Sequence, residues 1–176
     1  MASRFCDGNL PEFVTRDCVF EPGNIVAVAL IKGDQTPTLA NLREASFWTT
    51  KLNASPQKYF VILNTRGEYP GGTVSEEDGF GRTLTRVNGA DHEVTFEVEG
   101  VEDNGTFVNM VNQIANWKFV FVTSGNLAFY AEDVRIYGKI IIERPIKSLI
   151  RWSFSAKWTN IENPAEFEAP ATIFGE

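Results

Sequence analysis

One ten-residue stretch limits what this chain can fold into more than any other. From Ile150 to Thr159 it runs Ile-Arg-Trp-Ser-Phe-Ser-Ala-Lys-Trp-Thr, so Ile150, Trp152, Phe154, Ala156 and Trp158 share one parity. Arg151, Ser153, Ser155, Lys157 and Thr159 share the other. A period of two is that of a β-strand, and this one has a heavy apolar face and a wet face. Each large aromatic ring can bury about 150–250 Å². At about 25 cal/mol per Å² that is several kcal/mol per ring before entropy is subtracted. The rest of the chain must therefore supply a cover.

It supplies several. Asn24–Lys32 is a continuous apolar run rich in β-branched residues, the pattern of a strand buried on both faces. Leu39–Asn53 carries apolar residues at three-to-four spacing behind Thr38, a capping residue, and predicts a helix. Tyr59–Leu63 is a short strand, and Asp91–Glu99 alternates, with His92, Val94, Phe96 and Val98 facing one way. Asp103–Ala115 predicts a second helix with Phe107, Met110, Val111 and Ile114 on its apolar stripe. Trp117–Thr123 and Leu127–Tyr130, separated by Ser124-Gly125-Asn126, predict a hairpin. Asp133–Glu143 alternates again.

The expected fold is mainly β with two short helices (α+β), built as a β-sandwich or partly closed barrel. Residues 1–23 are expected to form an irregular N-terminal arm, 24–160 the β-domain, and 161–176 a C-terminal tail pinned by Phe167, Ile173 and Phe174. Thr65–Ala90 is rich in glycine and mixed charge and is expected to be a long loop. Loops this long in a compact domain are usually functional or disordered. An arm reaching a neighbouring subunit fits it best, with Arg66, Glu68, Glu76, Glu77, Asp78, Arg82 and Arg86 as candidate contact residues.

The 176 residues suit one domain. A formal net charge of -7 argues against a general electrostatic grip on nucleic acid. The longest apolar run, Ile25–Ile31, is too short to span a bilayer, and Met1–Gly8 has no apolar signal core. Cys6 and Cys18 are expected to be reduced thiols, with a small disulfide loop as the alternative.

No catalytic signature emerges, and neither a cofactor nor a metal is expected. The single histidine, His92, lies on an apolar parity and reads as a packed core residue. There is no Gly-x-Ser-x-Gly elbow, P-loop or GxGxxG pattern. Two cysteines and one histidine do not make a structural zinc site. Glu76-Glu77-Asp78 lacks the spacing of a calcium loop. Glu97 and Glu99 lie about 7 Å apart along a strand, within glycosidase range, but nothing beside them marks a sugar site. Two Asn-x-Ser/Thr sequences, at Asn53 and Asn104, read as chance matches.

The stretch from Gly79 to Phe96 (Gly-Phe-Gly-Arg-Thr-Leu-Thr-Arg-Val-Asn-Gly-Ala-Asp-His-Glu-Val-Thr-Phe) resembles a recurrent segment in virion proteins of crAss-like bacteriophages. The order that follows is similar too: a helix over 105–116, a strand over 117–123, the Trp-rich strand, an acidic Pro-containing spacer, and 170–174. The resemblance covers Asn24 to the C-terminus. It implies a fold like phage tail-tube and tail-completion proteins and no catalytic residues. It also implies self-association into hexameric or dodecameric rings stacked on adjacent ring or tail proteins. Such a protein is made in the host cytoplasm and resides in the virion, touches no membrane, and lets DNA pass without specific binding. A conduit wall must not hold DNA, whose backbone carries one charge per ~1.7 Å, so Asp91, Glu93, Glu97 and Glu99 are candidates for a lumen-facing acidic row. The basic face of Ile150–Thr159 is then expected to meet a neighbour or solvent. The runner-up is a β-sandwich binding module, for example one that recognises carbohydrate; an enzyme with an unrecognised carboxylate site is third.

Overall fold

The computed structural model describes residues 23–78, 85–100, 103–143 and 150–175, with backbone alone at 77–78 and 85–88. All of the expected N-terminal arm except Gly23, with both cysteines, and Arg82 lie outside the described residues. In chain order the elements are β1 (Ile25–Lys32), α1 (Leu39–Leu42), α2 (Ala45–Leu52), β2 (Tyr59–Glu68), β3 (Thr73–Asp78), β4 (Thr85–Glu99), α3 (Gly105–Gln113), β5 (Trp117–Thr123), β6 (Leu127–Ile141), β7 (Arg151–Thr159), β8 (Ala165–Glu168) and α4 (Ala171–Phe174).

Six strands close on themselves in the order β1–β2–β4–β7–β6–β5, every join antiparallel. The expectation of a mainly β fold holds, and the pairing makes it a barrel. The narrowest join is β2–β4, where only Arg66–Glu68 pairs with Thr95–Glu97. Two long strands anchor the barrel, β4 and β6, of fifteen residues each. Each is paired along one edge by two strands laid in line, β2 and β3 on β4, and β7 and β8 on β6.

The barrel interior is the first core. Val28, Leu30, Val94, Phe96, Trp117, Phe119, Phe121, Ile136, Phe154 and Trp158 fill it. Phe96 and Phe154 stack 4.9 Å apart across the β4–β7 pair, as their register dictates. Helix α3 packs Val108 and Val111 onto this core, and the Trp117 indole donates to the Val111 carbonyl. A second core lies outside one wall, between β1 and β5 and the short helices. Here Ala27, Ala29 and Ile31 of β1 and Val120 and Val122 of β5 meet Leu42, Trp48, Phe167 and Phe174. This explains the unbroken apolar run of β1 and the run Phe119–Val122 of β5: both faces of each strand are covered.

Four expectations need correction. Thr65–Ala90 is not a loop: β2 runs on to Glu68, and β3 and β4 form a ribbon. Its glycines disguised the strands, yet two of them are required locally. Gly71 has φ +95, and a Cβ on Gly72 would lie 2.5 Å from His92 Cε1. The helix over 39–53 breaks at Arg43–Glu44 into α1 and α2, and Thr38 caps α1 as expected, its side chain accepting from Asn41 N. With α3 and α4 there are four short helices rather than two among the described residues.

The third correction joins two segments. Leu127–Tyr130 and Asp133–Glu143 are one strand, β6. Inward-facing residues change from Phe129 and Ala131 to Val134 and Ile136 across a bulge where Asp133 has φ 55. The bulge shifts the parity, so no single alternation runs through the strand. Fourth, the tail is part of the body. β8 pairs with Leu127–Tyr130, and α4 sets Phe174 edge-on to Trp48 at 4.9 Å. Phe167 and Phe174 are buried there, which is the pinning expected of them.

Candidate functional site

Helices α1, α2 and α4 lie outside the wall made by β1 and β5, while α3 packs on the barrel core beside β6. The opposite wall, formed by β4, β7 and the second half of β6, has no second layer among the described residues. Its outward residues are polar because nothing apolar lies beyond them. They form three columns in register: Asp91, Glu93, Thr95, Glu97 and Glu99 on β4; Thr159, Lys157, Ser155, Ser153 and Arg151 on β7; Arg135, Tyr137 and Lys139 on β6.

The acidic row and the basic row are therefore not two separate faces, as the sequence suggested, but neighbours on one wall. Antiparallel pairing places Glu93 opposite Lys157 and Glu97 opposite Ser153, beside Arg151. The Thr159 hydroxyl donates to Asp91 at 2.8 Å, and the Ser155 hydroxyl donates to Glu93 at 2.7 Å. Lys157 lies 3.4 Å from Glu93. Arg151 places Nε 3.0 Å from Glu97 and donates through Nη2 to Glu143 at 2.7 Å. The Ser155 hydrogen bond, with Lys157 beside it, holds the Glu93 carboxyl below its ordinary pKa, against a smaller upward push from desolvation. Glu143 and Glu97 together hold the Arg151 guanidinium charged.

Beside this neutralised centre, the β6 column stands apart. Arg135 and Lys139 form no ion pair among the described residues. Tyr137 between them is 59% exposed, although large aromatic rings elsewhere on the strands are mostly inside. Arg135 is directly opposite Lys157 in the ladder. The edge of β6 beyond this column is held by α3 through Asn112, whose amide donates to the Gly138 carbonyl at 2.9 Å and accepts from the Gly138 N–H at 2.7 Å. A helix side chain thus replaces a missing strand.

The candidate contact residues at the former loop divide. Arg66 and Glu68 are exposed on β2, and Glu76 on β3. Glu77, Asp78 and Arg86 lie on the ribbon backbone; their side chains, like Arg82, lie outside the described residues. The ribbon itself is unusual. β3 pairs only with β4, and β4 meets β7 only from Asp91 onward. Between 73–78 and 85–89 each strand has a single partner among the described residues. Val74 on this ribbon is 52% exposed.

His92 is 2% exposed at the barrel end and is fully engaged. Its Nε2 donates to the Asn160 carbonyl at 2.8 Å, which leaves Nδ1 to accept from the Tyr69 hydroxyl at 2.7 Å. The ring stacks 5.1 Å from Trp158. It is the packed histidine that the parity predicted, with neither a nucleophile nor a metal-ligand set beside it among the described residues.

One apolar cleft of about 340 Å³ opens where β2 parts from β4, lined by Phe60, Ile62, Val98, Phe107 and Trp152. Trp152 Nε1 is buried there without an acceptor among the described residues. Sequence reading named the acidic row and the basic β7 row but passed over Arg135, Tyr137 and Lys139. Their signal was present: two cations flank an aromatic residue on the polar parity of an alternating strand.

The chain matches no protein-family model and has no significant sequence match among curated proteins.

Proposed function

We propose that this chain is a structural subunit that assembles into a ring or tube, as the phage neck and tail proteins it resembles do. The observation that carries this reading is the β3–β4 ribbon. A two-stranded antiparallel ribbon is at best marginal in water and needs a third strand or a packed face. Among the described residues each of its strands leaves one edge open over 73–78 and 85–89, and a row of open N–H and C=O groups is a template for pairing with another chain. A neighbouring subunit that covers the ribbon completes it. The closed barrel behind it gives a rigid base, since each of its six strands has a neighbour on either side along at least part of its length.

The acidic row fits a subunit seam better than the surface of a DNA channel. Repulsion of a duplex needs uncompensated negative charge. Here Glu93 and Glu97 each have a cation within 3.4 Å, leaving Asp91 and Glu99 as the less compensated members. A carbohydrate-binding module would present aromatic platforms, whereas most rings here stack inside two cores.

Negative-stain electron microscopy of the purified full chain across a concentration series tests the reading. Rings or tubes with a central channel are expected. Replacement of 73–90 by a short turn should abolish them while leaving thermal unfolding cooperative. A monomer at every concentration that is retained on a polysaccharide column would contradict the proposal.

A further inference from the structure

The bare wall has two unlike margins. On the β6 side stand Arg135, Tyr137 and Lys139, spaced by about 6.8 Å steps along one strand. On the β2–β4 side stand Glu68, opposite Thr95, and Glu99, opposite Arg151, whose guanidinium is engaged by Glu97 and Glu143, with Arg66 opposite Glu97. The centre between the margins is already paired within the subunit by Lys157, Arg151 and the β7 hydroxyls. We infer that a second copy of this chain docks head to tail, its Glu68–Glu99 margin against the Arg135–Tyr137–Lys139 column of the first.

Three observations support this. The margins are complementary in charge, and each has members that form no ion pair among the described residues, Glu68 and Glu99 on one side and Arg135 and Lys139 on the other. Arg135 directly faces Lys157, whose charge is already met by Glu93, so the ladder supplies Arg135 with no carboxylate opposite it. Tyr137 is exposed between the two cations, the arrangement of an aromatic anchor ringed by charge that enriches protein interfaces. Because the two margins differ, the contact is heterologous and each subunit has two neighbours. Such contacts close into a ring or run on as a filament.

The inference rests on the assembly reading above and names the surfaces that meet. Two charge-reversed full chains test it, R135E/K139E and E68K/E99K, with Y137A as a third variant, by sedimentation velocity and negative stain. Each reversed chain alone should self-associate at least about tenfold more weakly than wild type, because like charges then face each other. Y137A should weaken association by a similar factor without lowering the melting temperature. Mixing the two reversed chains should restore assembly, since every margin again meets its opposite, and raising the salt should dissolve the mixture as it does wild type. If the wild type assembles and both reversed chains assemble equally well, this interface is overturned while the ring reading stands. If the wild type stays monomeric at low salt and high concentration, both fall. Association that stops at a dimer overturns the head-to-tail arrangement. An oligonucleotide that binds monomeric wild type and is lost in R135E/K139E assigns the column to nucleic acid instead.

Discussion

The two walls of the barrel are made by the same kind of strand pairing but serve different ends. On the covered wall, β1 and β5 bury both faces, and Trp48, Phe167 and Phe174 close over them. On the bare wall, β4, β7 and the second half of β6 bury one face and leave the other as columns of charge and hydroxyl. The difference lies in what sits outside. Apolar cover allows a strand to be apolar on both sides, while its absence forces alternation. Stability is therefore concentrated on the covered side, and the bare side is free to carry recognition.

That contrast can be broken most directly at Trp48. It is wholly buried, its indole donates to the Leu42 carbonyl at 2.9 Å, and it meets Tyr59 and Phe174 edge-on. Trp48→Ala should cost about 3–5 kcal/mol in chemical denaturation, from lost burial and the cavity left behind. Outward substitutions on the bare wall, such as Ser153→Ala, should stay within about 0.5 kcal/mol. Equal losses on both walls would remove the distinction.

The boundary between the walls is the next place to press. A Cβ at Gly138 would lie 2.6 Å from Phe154 Cε1 and 2.9 Å from Val108 Cγ1. Gly138→Ala should destabilise by about 1–3 kcal/mol through overpacking. Asn112→Ala leaves the Gly138 N–H and C=O without their partner and should cost about 1–3 kcal/mol, with faster amide exchange at Gly138.

The smallest effect concerns acid. The folded-state pKa of Glu93 is depressed, first by Ser155 and then by Lys157. Its contribution is fully present above the unfolded carboxylate value, near 4.3, and is lost as pH falls through the lower folded value. Ser155→Ala should move the Glu93 titration back up, seen by NMR of its side-chain carboxyl, and flatten the acid limb of the stability curve. An unmoved titration would mean that the hydroxyl does not hold the carboxylate in solution.

Much of this was legible in the chain, for reasons that can be located. The alternation of Ile150–Thr159 and Asp91–Glu99 and the unbroken run of β1 report directly on how many faces are covered. Their strands and buried parities fall where the pattern puts them, His92 included, except at Ile150, which precedes β7 and is exposed. The failures share a cause, which is a local irregularity that disturbs a period. The bulge at Asp133 split β6, the glycines around His92 hid β3, and the Arg43–Glu44 break divided one helix. The acidic row was visible as a row, but its neutralisation was not, because the β4–β7 register joins residues 52 to 68 positions apart in sequence. The basic column needed knowledge that Lys157, and not an acid, stands opposite Arg135.

The claim that recognition belongs to the bare wall and the ribbon is tested most directly by hydrogen exchange of the full chain, read by mass spectrometry below and above its association concentration. The account predicts that assembly adds protection to the ribbon at 73–78 and 85–89, to the β6 segment 135–139, and to the Glu68 and Glu99 margin, with α2 and α4 unchanged. Protection gained instead on the helix-covered side, or none gained anywhere as complexes form, would contradict it.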